Sequence, residues 1–397
     1  MNTKNQGVLP SQDINMLVDK RSITSLSKRN LGDQIQPSSL DLTLGVKAWR
    51  IRASFLPGRN FTVEERLKTV SMHELNLNRD TVFEKGCIYI VKLNEGLNLN
   101  EDIYGAANAK SSSGRIDLFT RLLSNFSDEF DNVRHGYNGP LYAEIHPKSF
   151  SVVLREGIAL NQVRFKKGKV IISDANLIKL QHSHKLVNTT PDINNGLGFS
   201  INLRNLENDL IGFKARTNAP IINLSKINYY KPEDFWEEIR SKDASLILNP
   251  NDFYILSSRE SVNIPPDYAA EMLPYSAKIG EFRVHYAGFF DPGFGSSNEG
   301  ESKAVLEVRC HEAPFILEHG QPVGRLIFEK MLARPKIIYG KTIHSNYPLI
   351  QKESIGTMMD CSLTTLHCYQ VSTTNQIFSK RKSPNHAATL KKLEASV

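Results

Sequence analysis

The chain contains an internal repeat, and this repeat constrains its fold more than any other feature of the sequence. Glu144 aligns with Glu307 at an offset of 163 residues. The same offset aligns three further pairs without a gap: Leu154 with Leu317, Gly157 with Gly320 and Phe165 with Phe328. An offset of 165 aligns three upstream pairs: Tyr89-Ile90 with Tyr254-Ile255, Glu95 with Glu260 and Asn98 with Asn263. Self-similarity over so long a span indicates two copies of one structural unit.

The repeated unit has the pattern of β-strands. Leu40, Leu42 and Leu44 alternate with Asp41 and Thr43, which is typical of a strand. Residues 87–93 have a second strand pattern, and residues 141–165 contain two or three more. Because short strands separated by turns are typical of barrels and jelly rolls, we predict a mainly β fold. It is a tandem of β-barrel-like or jelly-roll-like domains with a few short helices.

Breaks in the pattern divide the chain into three parts. Turn-forming residues between 203 and 219 place a boundary there, so we predict an N-terminal domain over 1–205 and a C-terminal domain over 206–347. Residues 348–397 are rich in Ser, Thr and Lys and are predicted to be a disordered tail. Acidic first turns followed by helically spaced apolar residues predict helices over 13–20 and 231–240.

Composition restricts the class of protein. A net charge of +7 over 397 residues is too small for a nucleic-acid-binding surface, so no nucleic-acid partner is expected. The four cysteines form no CxxC pair, which fits free thiols in a reducing compartment. No signal peptide and no apolar run of membrane-spanning length occur. We therefore expect a cytoplasmic protein without a membrane partner.

Residues 109–115 (AKSSSGR) are the strongest single candidate for a binding site. Ile116, Phe119, Leu122 and Leu123 follow at helical spacing, so the pattern predicts a polar loop that leads into a helix. Backbone N–H groups at such a helix start favour an anion, and serine hydroxyls, a lysine and an arginine add donors. The alternative is a serine-rich helix cap with solvated basic neighbours.

Four segments together resemble one enzyme family. They are residues 36–45 (QPSSLDLTLG), 110–115 (KSSSGR), 287–294 (AGFFDPGF) and 305–307 (VLE). In this order they resemble the signatures of dCTP deaminases, which are relatives of the trimeric dUTPases. The resemblance covers roughly residues 8–347 and is closest to long deaminases in which the unit is duplicated. It implies two dUTPase-like domains in tandem and a homo-oligomer.

The resemblance also implies a reaction and the roles of individual residues. The reaction is hydrolysis of dCTP to dUTP and ammonia without zinc. Independently, the chain lacks the zinc-deaminase combination of H-x-E or C-x-E with P-C-x-x-C. By resemblance, Glu307 is the catalytic base, Ser111 and the carbonyl of Ala287 orient the water, and Arg115 balances charge. The residues implied to bind substrate are Lys110, Ser111 and Ser112 for the triphosphate with its Mg²⁺, Asp291 for the sugar and Tyr339 for a C-terminal lid.

The motifs are divided between the two copies. The first copy keeps residues 110–115 and Glu144 but has Val-Arg-His-Gly-Tyr where the D-P-G segment is expected. The second copy keeps Ala287, Asp291 and Glu307, whereas its phosphate motif is reduced to Tyr-Ser-Ala-Lys at 275–278. We therefore predict one composite site. Whether it lies within one chain or between chains, and whether Glu307 or Glu144 is the base, stays open.

Two other functions remain as alternatives. A dUTPase, or a combined deaminase and dUTPase, would use the same barrel with Asp291 directing water at phosphorus. A non-catalytic tandem jelly roll would retain binding or assembly alone. Each motif also has an ordinary structural interpretation, because a strand Glu is commonly solvated and Asp-Pro-Gly is commonly a turn.

Overall fold

The two copies form two sheets with the same strand order. The computed structural model describes residues 5–204, 209–226, 229–274, 282–284, 288–296, 302–310 and 312–339. The strands of the first copy are β1 Gly7–Val8, β2 Ile23–Ser25, β3 Leu40–Ile51, β4 Ser71–Asn76, β5 Thr81–Phe83, β6 Ile88–Asn98, β7 Ile103–Ala109, β8 Leu118–Ser124, β9 Asn132–Val133, β10 Asn138–Pro147, β11 Val152–Leu154 and β12 Ala159–Lys167. Those of the second are β13 Leu197–Asn202, β14 Leu210–Ala215, β15 Ile222–Asn223, β16 Trp236–Arg240, β17 Ser245–Leu248, β18 Phe253–Ser261, β19 Tyr268–Pro274, β20 Phe282–Val284, β21 Phe289–Phe290, β22 Lys303–Cys310, β23 Phe315–Glu318 and β24 Pro322–Lys330.

Strand pairing follows the sequence repeat. The first sheet has the order β8-β10-β6-β3-β12-β7-β9. The second has the order β16-β14-β18-β13-β24-β19-β21, and β22 pairs with β18 and β20 with β22, so β20-β22-β18-β13-β24-β19-β21 repeats the order of the first. Glu144 pairs with Ile90 across β10 and β6, and Glu307 pairs with Ile255 across β22 and β18. These pairs are the ones that the two offsets align. The prediction of a mainly β, duplicated, barrel-like fold is therefore confirmed.

A buried carboxylate is also duplicated. Glu95 accepts hydrogen bonds from the N–H and the hydroxyl of Thr43, at 2.8 and 2.6 Å. Its counterpart Glu260 accepts the same two bonds from Ser200, both at 2.7 Å. Burial raises the pKa of Glu95, and these bonds to its carboxyl oppose the rise. Each carboxylate thus forms side-chain hydrogen bonds between two neighbouring strands, β6 and β3 in the first copy and β18 and β13 in the second.

The helices are short and few among the described residues. They are α1 Ser11–Asp19, α2 Val63–Val70, α3 Ser111–Arg115 and α4 Asp174–His184. The helix predicted over 13–20 is confirmed as α1, with Ile14 and Leu17 buried. None of the helices in the described ranges has the length and apolar run that a membrane span requires.

The helix predicted over 231–240 is wrong. Pro232–Asp234 form one 3-10 turn, and Trp236–Arg240 form strand β16, which pairs with β14. Phe235 and Trp236 are buried, with their rings 5.6 and 5.5 Å from that of Phe150 in the first copy. Packing between the copies and pairing with β14 outweigh the local helical spacing.

The two copies share part of their core. The largest cluster of buried apolar residues contains the first sheet together with Phe213, Trp236, Phe253 and Ile255 of the second. The sheets divide between β12 and β13, before residue 205. The division into domains 1–205 and 206–347 stays a prediction, and the tail over 348–397 lies outside the described residues.

Candidate active site between the two copies

The KSSSGR motif itself forms the helical turn α3 between β7 and β8. Lys110 precedes this turn in extended conformation, and its N–H donates to the carbonyl of Leu160 at 2.8 Å. The Ser113 hydroxyl donates to the same carbonyl at 3.1 Å, while Ser111 is exposed and Ser112 half-buried. The turn therefore presents its first two serines outward and anchors the third.

The helix predicted to follow the motif is wrong. Leu118–Ser124 form strand β8, which pairs with β10 over its whole length. Leu122 belongs to the main core, and Leu123 belongs to a second cluster on the opposite face of the sheet. Apolar residues on both faces of one strand produced a spacing that resembles a helix.

Lys110 lies in a cluster of charges between the copies. Its ammonium contacts the buried carboxylate of Asp41 at 2.5 Å. The Ser38 hydroxyl donates to Asp291 of the second copy at 2.5 Å, and the fully buried Arg164 lies 3.8 Å from that carboxylate. Burial raises the pKa of Asp291, and Arg164 followed by the Ser38 bond opposes the rise. The QPSS, KSSSGR and DPG motifs thus meet within one chain.

Arg115 and Glu307 lie on opposite sides of the boundary between copies, close enough for their charges to interact. Glu307 is 3% exposed on β22, and Arg115 is 5% exposed at the end of α3. Burial raises the pKa of Glu307 to about 7, although the positive charge of Arg115 opposes the rise. A carboxyl with this pKa both accepts and releases a proton near neutral pH.

Arg309 forms hydrogen bonds between the two copies close to Glu307. It follows Glu307 by two residues on β22, so both side chains leave the same face of the strand. Its guanidinium donates to Asp117 and, at 3.2 Å, to Ser149, both in the first copy. Asp117 follows Arg115 by two residues, so this contact holds the end of α3 against the strand that carries Glu307.

Glu144 has a different environment. Its carboxylate pairs with Arg121 of β8 at 2.6 Å and accepts a hydrogen bond from Ser54 at 2.6 Å. Both partners belong to the first copy. The structure thus brings Arg115 to Glu307 and gives Glu144 a separate partner.

Tyr339 packs on the DPG turn. Its N–H donates to the carbonyl of Pro292 at 3.1 Å, and its ring centre lies 5.5 Å from that of Phe294. Gly293 has φ +96°, and a Cβ there would lie 2.4 Å from Ile338, so the turn requires glycine. The rest of the predicted lid, Ala287 and residues 275–278 lie outside the described residues.

Sequence reasoning assigned no role to several charged or polar residues at this interface. They are Ser38, Asp41, Asp117, Arg164, Arg309 and Glu329. Arg164 donates to Glu329 at 3.0 Å and to the Ala270 carbonyl at 3.1 Å. A basic strand residue commonly lies in solvent, so only the contact between the copies identifies it as buried.

The chain is similar to known proteins over most of its length. The family model "2'-deoxycytidine 5'-triphosphate deaminase (DCD) N-terminal domain" matches residues 5–169, and the model of the C-terminal domain matches residues 173–353. A crystal structure of 2'-deoxycytidine 5'-triphosphate deaminase from Agrobacterium tumefaciens superposes with a TM-score of 0.81. That match has 46% sequence identity and covers 84% of this chain and 100% of the other.

Shorter relatives match parts of the chain. A dCTP deaminase of Halorubrum lacusprofundi is 29% identical over 185 residues, which are 45% of this chain and 86% of that protein. A "dCTP deaminase, dUMP-forming" of Methanobrevibacter smithii is 32% identical over 115 residues, 27% of this chain and 56% of that protein.

Proposed function

Because this chain belongs to the 2'-deoxycytidine 5'-triphosphate deaminase family, we propose that it hydrolyses dCTP to dUTP and ammonia. The observation that carries the proposal is the buried Glu307 between the copies, whose pKa is about 7 and whose charge interacts with that of Arg115. Water and the exocyclic amine each need one proton transfer in this reaction, and such a carboxyl performs both.

The proposed mechanism uses Glu307 as a base and then as an acid. Ionised Glu307 takes a proton from the water molecule that attacks C4 of the cytosine ring. It then gives this proton to the amino group, the proton of the added hydroxyl moves to N3 of the ring, and the C4–N bond breaks to release ammonia as the C4 carbonyl forms. Arg115 stabilises the carboxylate, and Ser111 with the carbonyl of Ala287 orients the water.

Substrate binding is proposed for the outward face of α3 and the DPG turn. Ser111 and Ser112 donate to the triphosphate, and Lys110 supplies a charge beside Asp41. Asp291 receives the sugar hydroxyl, and Tyr339 covers the turn.

Magnesium is proposed to enter with the triphosphate, because Mg²⁺ binds phosphate oxygens and keeps much of its water. No zinc takes part. Removal of Mg²⁺ with EDTA should raise KM for dCTP, whereas 1,10-phenanthroline should leave turnover unchanged. Stoichiometric zinc in the active protein, measured by elemental analysis, would refute this part.

The decisive experiment is a product assay. Purified protein is incubated with Mg²⁺ and dCTP, dCMP or dUTP, and ammonia and nucleotides are separated. Release of ammonia and dUTP from dCTP alone is expected. Accumulation of dUMP, as the name of the Methanobrevibacter relative describes, would show that a triphosphate hydrolysis accompanies deamination. No turnover of any substrate would leave the non-catalytic alternative.

We further propose a cytoplasmic homo-oligomer without nucleic-acid or membrane partners. The sequence supports the location through its cysteine pattern, and light scattering on the purified protein would measure the assembly.

A further inference from the structure

A second, cationic cavity lies between the copies, and we propose that it binds a phosphate-bearing anion. Its volume is about 410 Å³, within the range of small-molecule sites. Lys85, His146 and Lys148 line it from the first copy, and Arg216 and Arg309 from the second. The residues that form the proposed substrate site, Lys110 to Ser112, Asp291 and Tyr339, are elsewhere.

The cavity carries an excess of positive charge. Four cationic side chains line it, and Asp252 is the single carboxylate among its described lining residues. Asp252 already lies 3.7 Å from Lys214, which is outside the cavity. Arg309 is paired with Asp117 and Arg216 lies 3.4 Å from Glu237, whereas Lys85 and Lys148 have no ion pair within the described part of the chain. An anion in the cavity would supply these two lysines with a partner.

Arg309 has an unused donor. Its side chain is 8% exposed, and its Nε is buried without a hydrogen-bond acceptor among the described residues. Its other two nitrogens donate to Asp117, Ser149 and the carbonyl of Asn251. Because a buried N–H without an acceptor is costly, an anionic oxygen beside Arg309 would be favourable.

Lys148 and His146 are partly buried in the cavity wall without a carboxylate partner among the described residues. Lys148 forms no ion pair within the described part of the chain, and its ammonium lies 5.0 Å from the centre of the Phe119 ring. Burial, and then the charge of Arg309, lowers the pKa of Lys148. Burial, then Lys148 and Arg309, lowers the pKa of His146 to about 4, so its imidazole is neutral at pH 7. A phosphoryl group would accept from the lysine, the arginine and the imidazole together.

The cavity depends on the duplication. His146 and Arg309 are equivalent positions at the offset of 163, and Gly86 and Asn251 are equivalent at 165. It thus forms where matching ends of the two sheets meet. A single unit would provide half of these groups.

Calorimetric titration with inorganic pyrophosphate at constant ionic strength tests the proposal. The parent should bind, and Lys148→Gln should weaken this binding at least tenfold. Lys110→Gln removes a cation from the substrate site and should retain the cavity's binding. Lys179→Gln, an exposed change on α4, is the matched control and should behave like the parent.

Exposed Lys85 provides a second variant that does not disturb the core. Lys85→Gln should weaken pyrophosphate several-fold, and circular dichroism of each variant should match that of the parent. Equal binding by the parent, Lys85→Gln and Lys148→Gln would refute the cavity. Loss of all binding in Lys110→Gln would likewise refute it, since the substrate site would then be the sole one.

Discussion

Glu144 and Glu307 occupy the same position in two copies of one sheet, yet different segments cover them. Four apolar positions around each glutamate are equivalent: Trp49, Ile88, Ile90 and Tyr142 correspond to Phe213, Phe253, Ile255 and Val305. In the first copy, α2 packs on these residues. In the second copy, they join the core of the first copy. The segment that packs on the strand, rather than the strand itself, determines the partner of each glutamate.

The connection between two strands explains the difference. Residues 52–70 join β3 to β4 in the first copy, and residues 216–235 join β14 to β16 in the second. The first connection folds back over its own sheet, where Ser54 contacts Glu144 and Glu64 contacts Tyr142. The second crosses to the first copy, where β15 pairs with β11. Because this connection does not fold back over its own sheet, Glu307 is covered by the first copy, where Arg115 lies.

Replacing each glutamate with glutamine should give the largest difference in kcat between the two positions. Glu307→Gln cannot accept the proton of water, so we expect kcat for dCTP to fall about a hundredfold or more. Glu144→Gln should keep kcat within a few-fold but lower stability, because Arg121 loses its buried partner. Ammonia release and urea unfolding measure both. A larger loss of kcat in Glu144→Gln would make Glu144 the base.

Mixing inactive variants tests whether the site lies within one chain. Arg115→Ala and Glu307→Gln should each be inactive, and since the two side chains meet in one chain, mixing them should restore no activity. The mixture is unfolded, refolded together and assayed for ammonia, with refolded parent as the control. Recovery of up to about a quarter of parent activity, the share of intact pairs that random mixing gives, would place the site between chains.

The pH dependence of stability should also differ between the glutamates. Folding raises the pKa of Glu307 from an ordinary 4.5 to about 7, so this carboxyl lowers stability as pH rises through that window. Glu307→Gln should therefore be more stable than the parent by about 3 kcal/mol at pH 8 and by under about 1 kcal/mol at pH 5. Urea unfolding at both pH values measures this. An equal difference at both would show that Glu307 is ionised throughout.

Removing the hydrogen bond from Ser54 to Glu144 should have the smallest effect on stability. Ser54→Ala deletes one hydrogen bond to this carboxylate, and we expect a loss of about 1 kcal/mol in stability with unchanged kcat. Ser183→Ala on α4 is the control for a surface serine. A fall in kcat would connect Glu144 to the reaction after all.

The repeat could be recognised from sequence because strand positions and buried glutamates keep their spacing. The family and the division of motifs between copies followed from local segments for the same reason. The proximity of Arg115 to Glu307 could be proposed but not located, since these residues are 192 positions apart. Arg164 was not identified, and Trp236 was predicted to be inward but in a helix instead of a strand, because the opposite copy, rather than their neighbours in sequence, packs on both.

The backfolded connection over 52–70 also has a consequence for assembly. The contact between α3 of the first copy and the face of the second copy that carries Glu307 is heterologous, because it joins two different surfaces of the repeated unit. Repeated heterologous contacts form rings or filaments. Among the described residues this contact occurs once, between α3 and the face that carries Glu307. The corresponding face of the first copy is occupied by α2, so no third unit can attach there in the same manner. On the first copy, α2 thus closes the face that the second copy uses to receive α3.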